Sequence, residues 1–213
     1  MASLFDLYMK GGWVMHPILL CSFISVYIII ERYLALRRAR TIPSGFVSEL
    51  RNFIRKGDLQ SALLYATRYD TPVGRIVRSG LDKIHRGHAR AQQAMEEQGR
   101  AEAGALEKGM GLLATMAGVA PLLGFLGTVV GIAIAFEEIA IRGGQISPDI
   151  LADGISQALY TTVFGLVVGI PAFAAFNYLT GIIQQAVAEL ESTAREIFDA
   201  LEEEMPAPEK AAV

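Results

Sequence analysis

The sequence has one cysteine, Cys21, one tryptophan and three histidines in 213 residues, and only 19% of it is charged. A lone cysteine excludes an intramolecular disulfide and any CxxC metal or redox site. Charge is missing altogether from three runs: Gly11 to Ile30 (20 residues), Gly109 to Phe136 (28) and Gly154 to Ala188 (35). A bilayer span takes about 20 residues to cross a hydrocarbon core of about 30 Å, so each run can span and the longer two project beyond it as helix. With 52% hydrophobic residues and a mean hydropathy of +0.37, this distribution speaks against a soluble enzyme and reads as a membrane protein. The first run follows Asp6 and Lys10, lacks a small-residue cleavage pattern and ends in Glu31-Arg32. It is therefore expected to stay attached rather than be removed as a leader.

The net charge of −3 conceals a segregation: residues 31 to 108 carry 15 Lys/Arg against 9 Asp/Glu, and the remainder carries 4 against 13. Arg32, Arg37, Arg38 and Arg40 flank the first run, whereas Lys10 and Arg142 are the only basic residues in the two segments that parity places opposite. The positive-inside rule then puts the N-terminus and the 137–153 connector outside, and residues 31–108 and the C-terminal tail in the cytoplasm.

The pattern predicts an all-α membrane protein with three transmembrane helices, two of them long and extended into a cytoplasmic helical domain. An interfacial segment occupies 1–10, and Trp13 lies at the membrane boundary as an aromatic anchor for the first transmembrane helix, 11–36. His16, beside Pro17, reads as a solvated or hydrogen-bonded residue rather than a proton relay. A cytoplasmic helical domain covers 37–108, where Phe46, Leu50, Phe53 and Ile54, then Leu59, Ala62, Leu63 and Ala66, recur at helical spacing with no strand alternation. Ser44 and Asp58 are candidate helix caps, and Thr71-Pro72 opens another helix. The His85/His88 pair straddles a glycine with no further ligand nearby, so no metal is expected. Residues 89–108 are good helix formers and are predicted to run unbroken into the second transmembrane helix, 109–136. The connector 137–153, the third transmembrane helix 154–188 and a helical extension 189–201 follow, and 202–213 reads as a disordered acidic tail. Val187, Leu190, Ala194, Ile197, Phe198 and Leu201 form one apolar stripe expected to pack on the extension of the second helix.

Within the second run, Ala117, Pro121, Gly124, Thr128, Gly131 and Ala135 recur at steps of four and three as a stripe of small residues around one hydroxyl. Such a stripe permits close helix packing, or it lines a narrow passage. The third run carries Gln157, Thr161 and Thr162, followed by Gly165, Gly169 and Pro171. Gln157, Thr161 and Gly165 share a face, and Thr162 lies about 140° around from Gln157. Pro171 removes a backbone hydrogen bond where water is scarce, which calls for a kink or a compensating neighbour.

The stretch Gly124-Phe125-Leu126-Gly127-Thr128-Val129-Val130-Gly131, with Gly154 to Leu166 and then Ile170-Pro171-Ala172, resembles the ExbB/TolQ/MotA proton-channel family. The Glu31-Arg32 and Leu36-Arg37-Arg38 exit from the first span is similar too, and three spans fit the ExbB/TolQ members better than the four-span ones. The resemblance implies a bacterial inner-membrane subunit, N-terminus periplasmic and C-terminus cytoplasmic. It further implies a homopentamer around the transmembrane helices of an ExbD/TolR-like single-span partner, possession of no cofactor, and work on the envelope through a TonB/TolA-like protein. No catalytic residues and no nucleic-acid partner are expected.

Carried over by position, Thr128 and Thr162 match the family's channel threonines, and Gln157 stands where ExbB and TolQ have a glutamate. An amide cannot carry a proton near neutrality, so the titrating acid is expected on the partner helix, with Thr128, Thr161, Thr162 and Gln157 bordering the ion pathway. Pro121, Gly124, Gly131, Gly165, Gly169 and Pro171 pack the helices or line the pore. Glu137, Glu138, Asp149 and Asp153 read as solvated connector charges or as an outer cation-attracting vestibule. A non-conducting scaffold and a sodium-driven or gliding motor remain the alternatives. The topology has a direct test in a Cys21→Ser background: single cysteines at Ser3 and Gln145 react with an impermeant thiol reagent on intact cells. One at Ser61 does not, and labelling there reverses the assignment.

Overall fold

The computed structural model describes residues 4–39, 45–142 and 148–204. Among these residues the secondary structure is helical throughout, with no strand: α1 (Leu4–Lys10), α2 (Met15–Ala39), α3 (Phe46–Arg55), α4 (Leu59–Arg68), α5 (Pro72–Leu81), a 3-10 turn (Ile84–Arg86), α6 (His88–Glu107), α7 (Met110–Ile141) and α8 (Pro148–Glu204). Three helical stretches are long and apolar enough to cross a membrane: Met15–Arg37, His88–Ile141 and Leu151–Glu203. The predicted continuity from residue 89 into the second span is corrected at one point. Lys108 leaves helical geometry at ψ 128° and Gly109 adopts a left-handed φ of 81°, so α6 and α7 are separate helices joined by one turn. Gly109 is a residue type for which that conformation carries no Cβ penalty, a break that helix propensity alone does not reveal.

The chain divides into two compact units, Met1–Arg32 with Gly109–Leu179, and Tyr33–Lys108 with Thr180–Val213. In the first unit the start of α2 is anchored by Val14, Met15 and Ile18, all but fully buried, against Tyr8, Leu123, Phe164 and Val168 from α1, α7 and α8. Much of the remaining large apolar surface faces outward. Phe23, Tyr27 and Ile30 of α2, Phe125, Val129 and Phe136 of α7, and Val163, Ile170 and Phe173 of α8 are all exposed. An apolar patch on this scale requires lipid or another protein chain as its solvent.

The second unit is a sequence of short amphipathic helices, each packed on the next from α3 to α6. Phe46, Leu50 and Ile54 of α3 are buried, as are Ala62 and Ala66 of α4 and Val73, Ile76 and Val77 of α5. Asp58 caps α4 by accepting from the Ser61 amide at 3.0 Å, and Thr71 caps α5 by accepting from the Gly74 amide at 3.1 Å, with Pro72 in the first turn. Ser44 lies outside the described residues, and the residue at the start of α3 is Gly45, with φ 89° and no side-chain cap. α8 continues helically to Glu204, so Glu202 to Glu204, read as part of a disordered tail, are the last turn of the helix. The remainder of the tail, 205–213, lies outside the described residues. Leu190, Ile197 and Leu201 of the α8 extension are buried. Val187, Leu190, Ala194 and Phe198 also line one wall of a cavity of about 370 Å³ whose other wall carries Ile76, Met95 and Ala103.

One polar knot ties α5 to α6. Arg75 forks onto Glu102, Nε to Oε1 and Nη2 to Oε2, each at 2.7 Å, and its Nη1 donates to Asp70 at 2.5 Å. Gln98 donates to the same Glu102 carboxylate at 2.8 Å. Glu102 is 7% exposed, and the Arg75 guanidinium, then burial in opposition, then Gln98 shape its titration, with a net result below the usual carboxylate range. A depressed folded-state pKa contributes stability that is present above the unfolded value and is lost as pH falls through the folded one. Glu102→Ala is expected to cost about 1–2 kcal/mol, because charge-assisted hydrogen bonds are lost while the partly exposed Arg75 is still solvated. Thermal melts in detergent at neutral pH check the loss, and the gap between parent and variant should close on acidification below the carboxylate range.

Candidate functional site

The centre of the first unit is an antiparallel contact between α7 and α8 in which backbone meets backbone. A β-carbon on Gly131 would lie 2.9 Å from the Gly154 carbonyl oxygen, one on Gly124 would lie 2.9 Å from that of Thr161, and one on Gly165 would lie 2.7 Å from that of Ala120. Further along, the Pro121 ring occupies the space a side chain at Gly169 would need, and Ala135 does the same for Gly154. The stripe read from α7 is thus a helix-packing surface at Ala117, Gly124, Gly131 and Ala135, all buried. Its partner stripe on α8 is Gly154, Ala158, Thr161, Gly165 and Gly169, at steps of four and three. Gly127 and the α8 residues Gly154 and Ala158 were not singled out from sequence. Their signal is the matching small-residue periodicity on α8, which becomes informative only when the two stripes are read in antiparallel register.

The hydroxyls part company in this frame. Thr161 is fully buried beneath Gly127, its hydroxyl donating to the Ala158 carbonyl at 2.8 Å and lying 3.2 Å from that of Gln157. The structure therefore places Thr161 in the helix contact rather than on an open face, because only a glycine opposite leaves room for its side chain there. Thr128 and Thr162 are half-buried. Thr128 donates to the Phe125 carbonyl at 2.5 Å, and Thr162 reaches across to the Gly124 carbonyl at 3.3 Å. A hydroxyl that donates to a carbonyl keeps its lone pairs, so both threonines retain the ability to accept from water or to ligate a cation.

Gln157 is half-buried and packs on the turn between α1 and α2, where a β-carbon on Gly12 would lie 2.5 Å from its Nε2. Pro171 is exposed and Pro121 half-buried, and both sit within unbroken helix. His16 has its Nδ1 3.1 Å from the Trp13 carbonyl, a bond that needs the Nδ1–H tautomer. Of the connector acids, Glu138 pairs with Arg142 at 2.9 Å, Glu137 and Asp153 are exposed, and the Asp149 side chain lies outside the described residues. Among the described residues no group of His, Cys, Asp or Glu is arranged to hold a metal.

Residues 68–192, which take in all of α7 and the small-residue stripe of α8, match the family model described as the MotA/TolQ/ExbB proton channel family. The biopolymer transport protein exbB1 of Vibrio cholerae is 30% identical over 201 residues, covering 91% of this chain and 86% of its own. The Tol-Pal system protein TolQ of Haemophilus influenzae is 31% identical over 194 residues, covering 82% and 83%. An ExbB homologue of Methanothermobacter thermautotrophicus is 28% identical over 190 residues, covering 89% and 67%.

The backbone contact sets a sharp contrast between glycines of the same helix. Gly131→Ala forces a methyl against a carbonyl and is expected to cost about 1–3 kcal/mol through overpacking. Gly118→Ala, at a position with nothing within 4 Å, should leave the melting temperature unchanged or slightly raised. Melts of the two variants side by side in one detergent check the register.

Proposed function

Because the chain belongs to the MotA/TolQ/ExbB proton channel family, we propose that it is the channel and stator subunit of an ExbB/TolQ-type motor that uses ion flow to power envelope transport or maintenance. The observation that carries the reading is the division of polar groups in the apolar helices. The three uncharged runs hold no carboxylate, and Thr128 and Thr162 of the α7–α8 pair keep hydroxyl oxygens at half-buried positions. Protons moving along such a surface need an acid from elsewhere, and a single-span ExbD/TolR-like partner inside a ring of five copies supplies it. This subunit then contributes hydroxyls and trapped water. One charge crossing 100 mV releases about 2.3 kcal/mol, and neutralising the partner's acid is the event that lets its helix move against the ring.

The assembly sits in a bacterial inner membrane with the N-terminus periplasmic and the basic segment 31–108 in the cytoplasm, in keeping with its charge. A TonB/TolA-like protein carries the output to the envelope. Glu137, Glu138, Asp149 and Asp153 form the outer vestibule in this arrangement. One observation favours a second reading, a non-conducting scaffold: Gln157, an amide with no titratable proton, packs on a backbone turn. Hydroxyl lone pairs also suit sodium.

Proton flux into liposomes containing the subunit and its single-span partner separates these readings. Flux should appear with both proteins and stay low with the ring alone, and exchanging sodium for potassium should not alter it. Thr128→Val and Thr162→Val are each expected to lower flux about fivefold or more, the equivalent of a lost hydrogen bond of about 1 kcal/mol, with pull-down of the partner unchanged. Gln157→Leu should be tolerated far better than loss of the partner's acid. Normal flux from both threonine variants defeats the role given to these hydroxyls, and no flux from the parent complex favours the scaffold.

A further inference from the structure

The contact between Gly12 and Gln157 joins two features that neither helix packing nor hydroxyl chemistry uses. Gly12 has a left-handed φ of 70°, and the space a side chain would take is filled by the Gln157 amide nitrogen. The turn that presents Gly12 is held from several sides. The Gly11 amide donates to the Tyr8 carbonyl and the Met15 amide to that of Gly12, each at 3.2 Å. Tyr8 meets the His16 ring edge-on at 5.7 Å between centroids. Val14, Met15 and Ile18 bury the far side of the turn against α7 and α8. Gln157 therefore rests on a backbone that does not give way.

In the backbone of α8, the main-chain carbonyl of Gln157 lies within hydrogen-bonding reach of the Thr161 hydroxyl one turn along, and Thr161 is the side chain that Gly127 of α7 covers. The seat of the Gln157 side chain on the turn thus lies one helical turn from Thr161 and the tightest part of the helix pair. A side chain at position 12 displaces the Gln157 amide, the free end of a flexible side chain, from its seat on the turn.

We propose that Gly12 is a positioning residue for Gln157, and that the bare backbone of the turn between α1 and α2 holds the Gln157 amide in the place it occupies while the channel conducts. The functional half of the proposal rests on the channel reading above; the pairing itself does not. Any side chain at position 12 collides with the amide, and shortening residue 157 relieves the collision. The backbone strain of a left-handed alanine persists in either case and acts equally in both backgrounds.

The test is a double-mutant cycle of Gly12→Ala and Gln157→Ala, read both as proton flux with the partner present and as melting temperature of the ring. Gly12→Ala should lower flux about tenfold in the Gln157 background and no more than about twofold in the Gln157→Ala background, with partner pull-down unchanged. The double variant should melt above Gly12→Ala alone. Independent effects that simply multiply in flux, together with additive shifts in melting, overturn the pairing. Coupled melting with independent flux effects overturns the functional half and leaves the contact structural. A parent complex with no flux refutes the channel reading instead, and the melting cycle then decides the pairing alone.

Discussion

The approach of two backbones along α7 and α8 is the constraint on which the first unit depends. Lipid tails are as apolar as leucine, so helices inside a bilayer gain little from burying hydrophobic side chains against one another. Contact has to come from fit. Glycine at 124, 127, 131, 154, 165 and 169, with alanine at 120, 135 and 158, removes the side chains that would hold the helices apart. The large residues Phe125, Val129, Val163 and Ile170 are left on the outside. The same packing decides which hydroxyl is accessible, since Thr161 is spent in the contact while Thr128 and Thr162 border it.

The second unit obeys ordinary aqueous rules. Positive-φ glycines mark the helix boundaries, Gly57 just after α3 and Gly45 and Gly87 just before α3 and α6, and α4 and α5 begin where Asp58 and Thr71 supply capping oxygens. Beside their buried apolar faces, a half-buried ion pair, Arg75 on Glu102, helps join α5 to α6. Within the pair it is the Glu102 carboxylate that is buried and so depends on its partner, while the Arg75 guanidinium keeps part of its hydration. Ser79 adds to the same join by donating to the Ala94 carbonyl at 3.0 Å.

In the proposed reading, the groups of this chain that border the ion path are uncharged. Hydroxyls and an amide cannot take up and release protons near neutral pH, so under that proposal the subunit orients water and the titrating step falls to a partner. This makes geometry unusually important. A carboxylate announces itself by charge, whereas a threonine matters only if its oxygen is placed where an ion passes.

Hydropathy and charge pattern alone determined the all-helical membrane class, the three apolar runs and the helical content of 37–108, because backbone polar groups in hydrocarbon have no solution but helix and because charge cannot be hidden there. The capping role of Asp58 and the opening of a helix at Thr71-Pro72 were also legible, being local chemistry. The break at Lys108–Gly109 was not, since a glycine in a run of good helix formers is tolerated as often as it turns. Nor was the separation of Thr161 from Thr128 and Thr162, or the seating of Gln157 on Gly12. One helix's periodicity shows that a stripe is small, but only the antiparallel register of α7 on α8 decides which oxygen is covered, because that depends on the residue opposite and not on the residue itself.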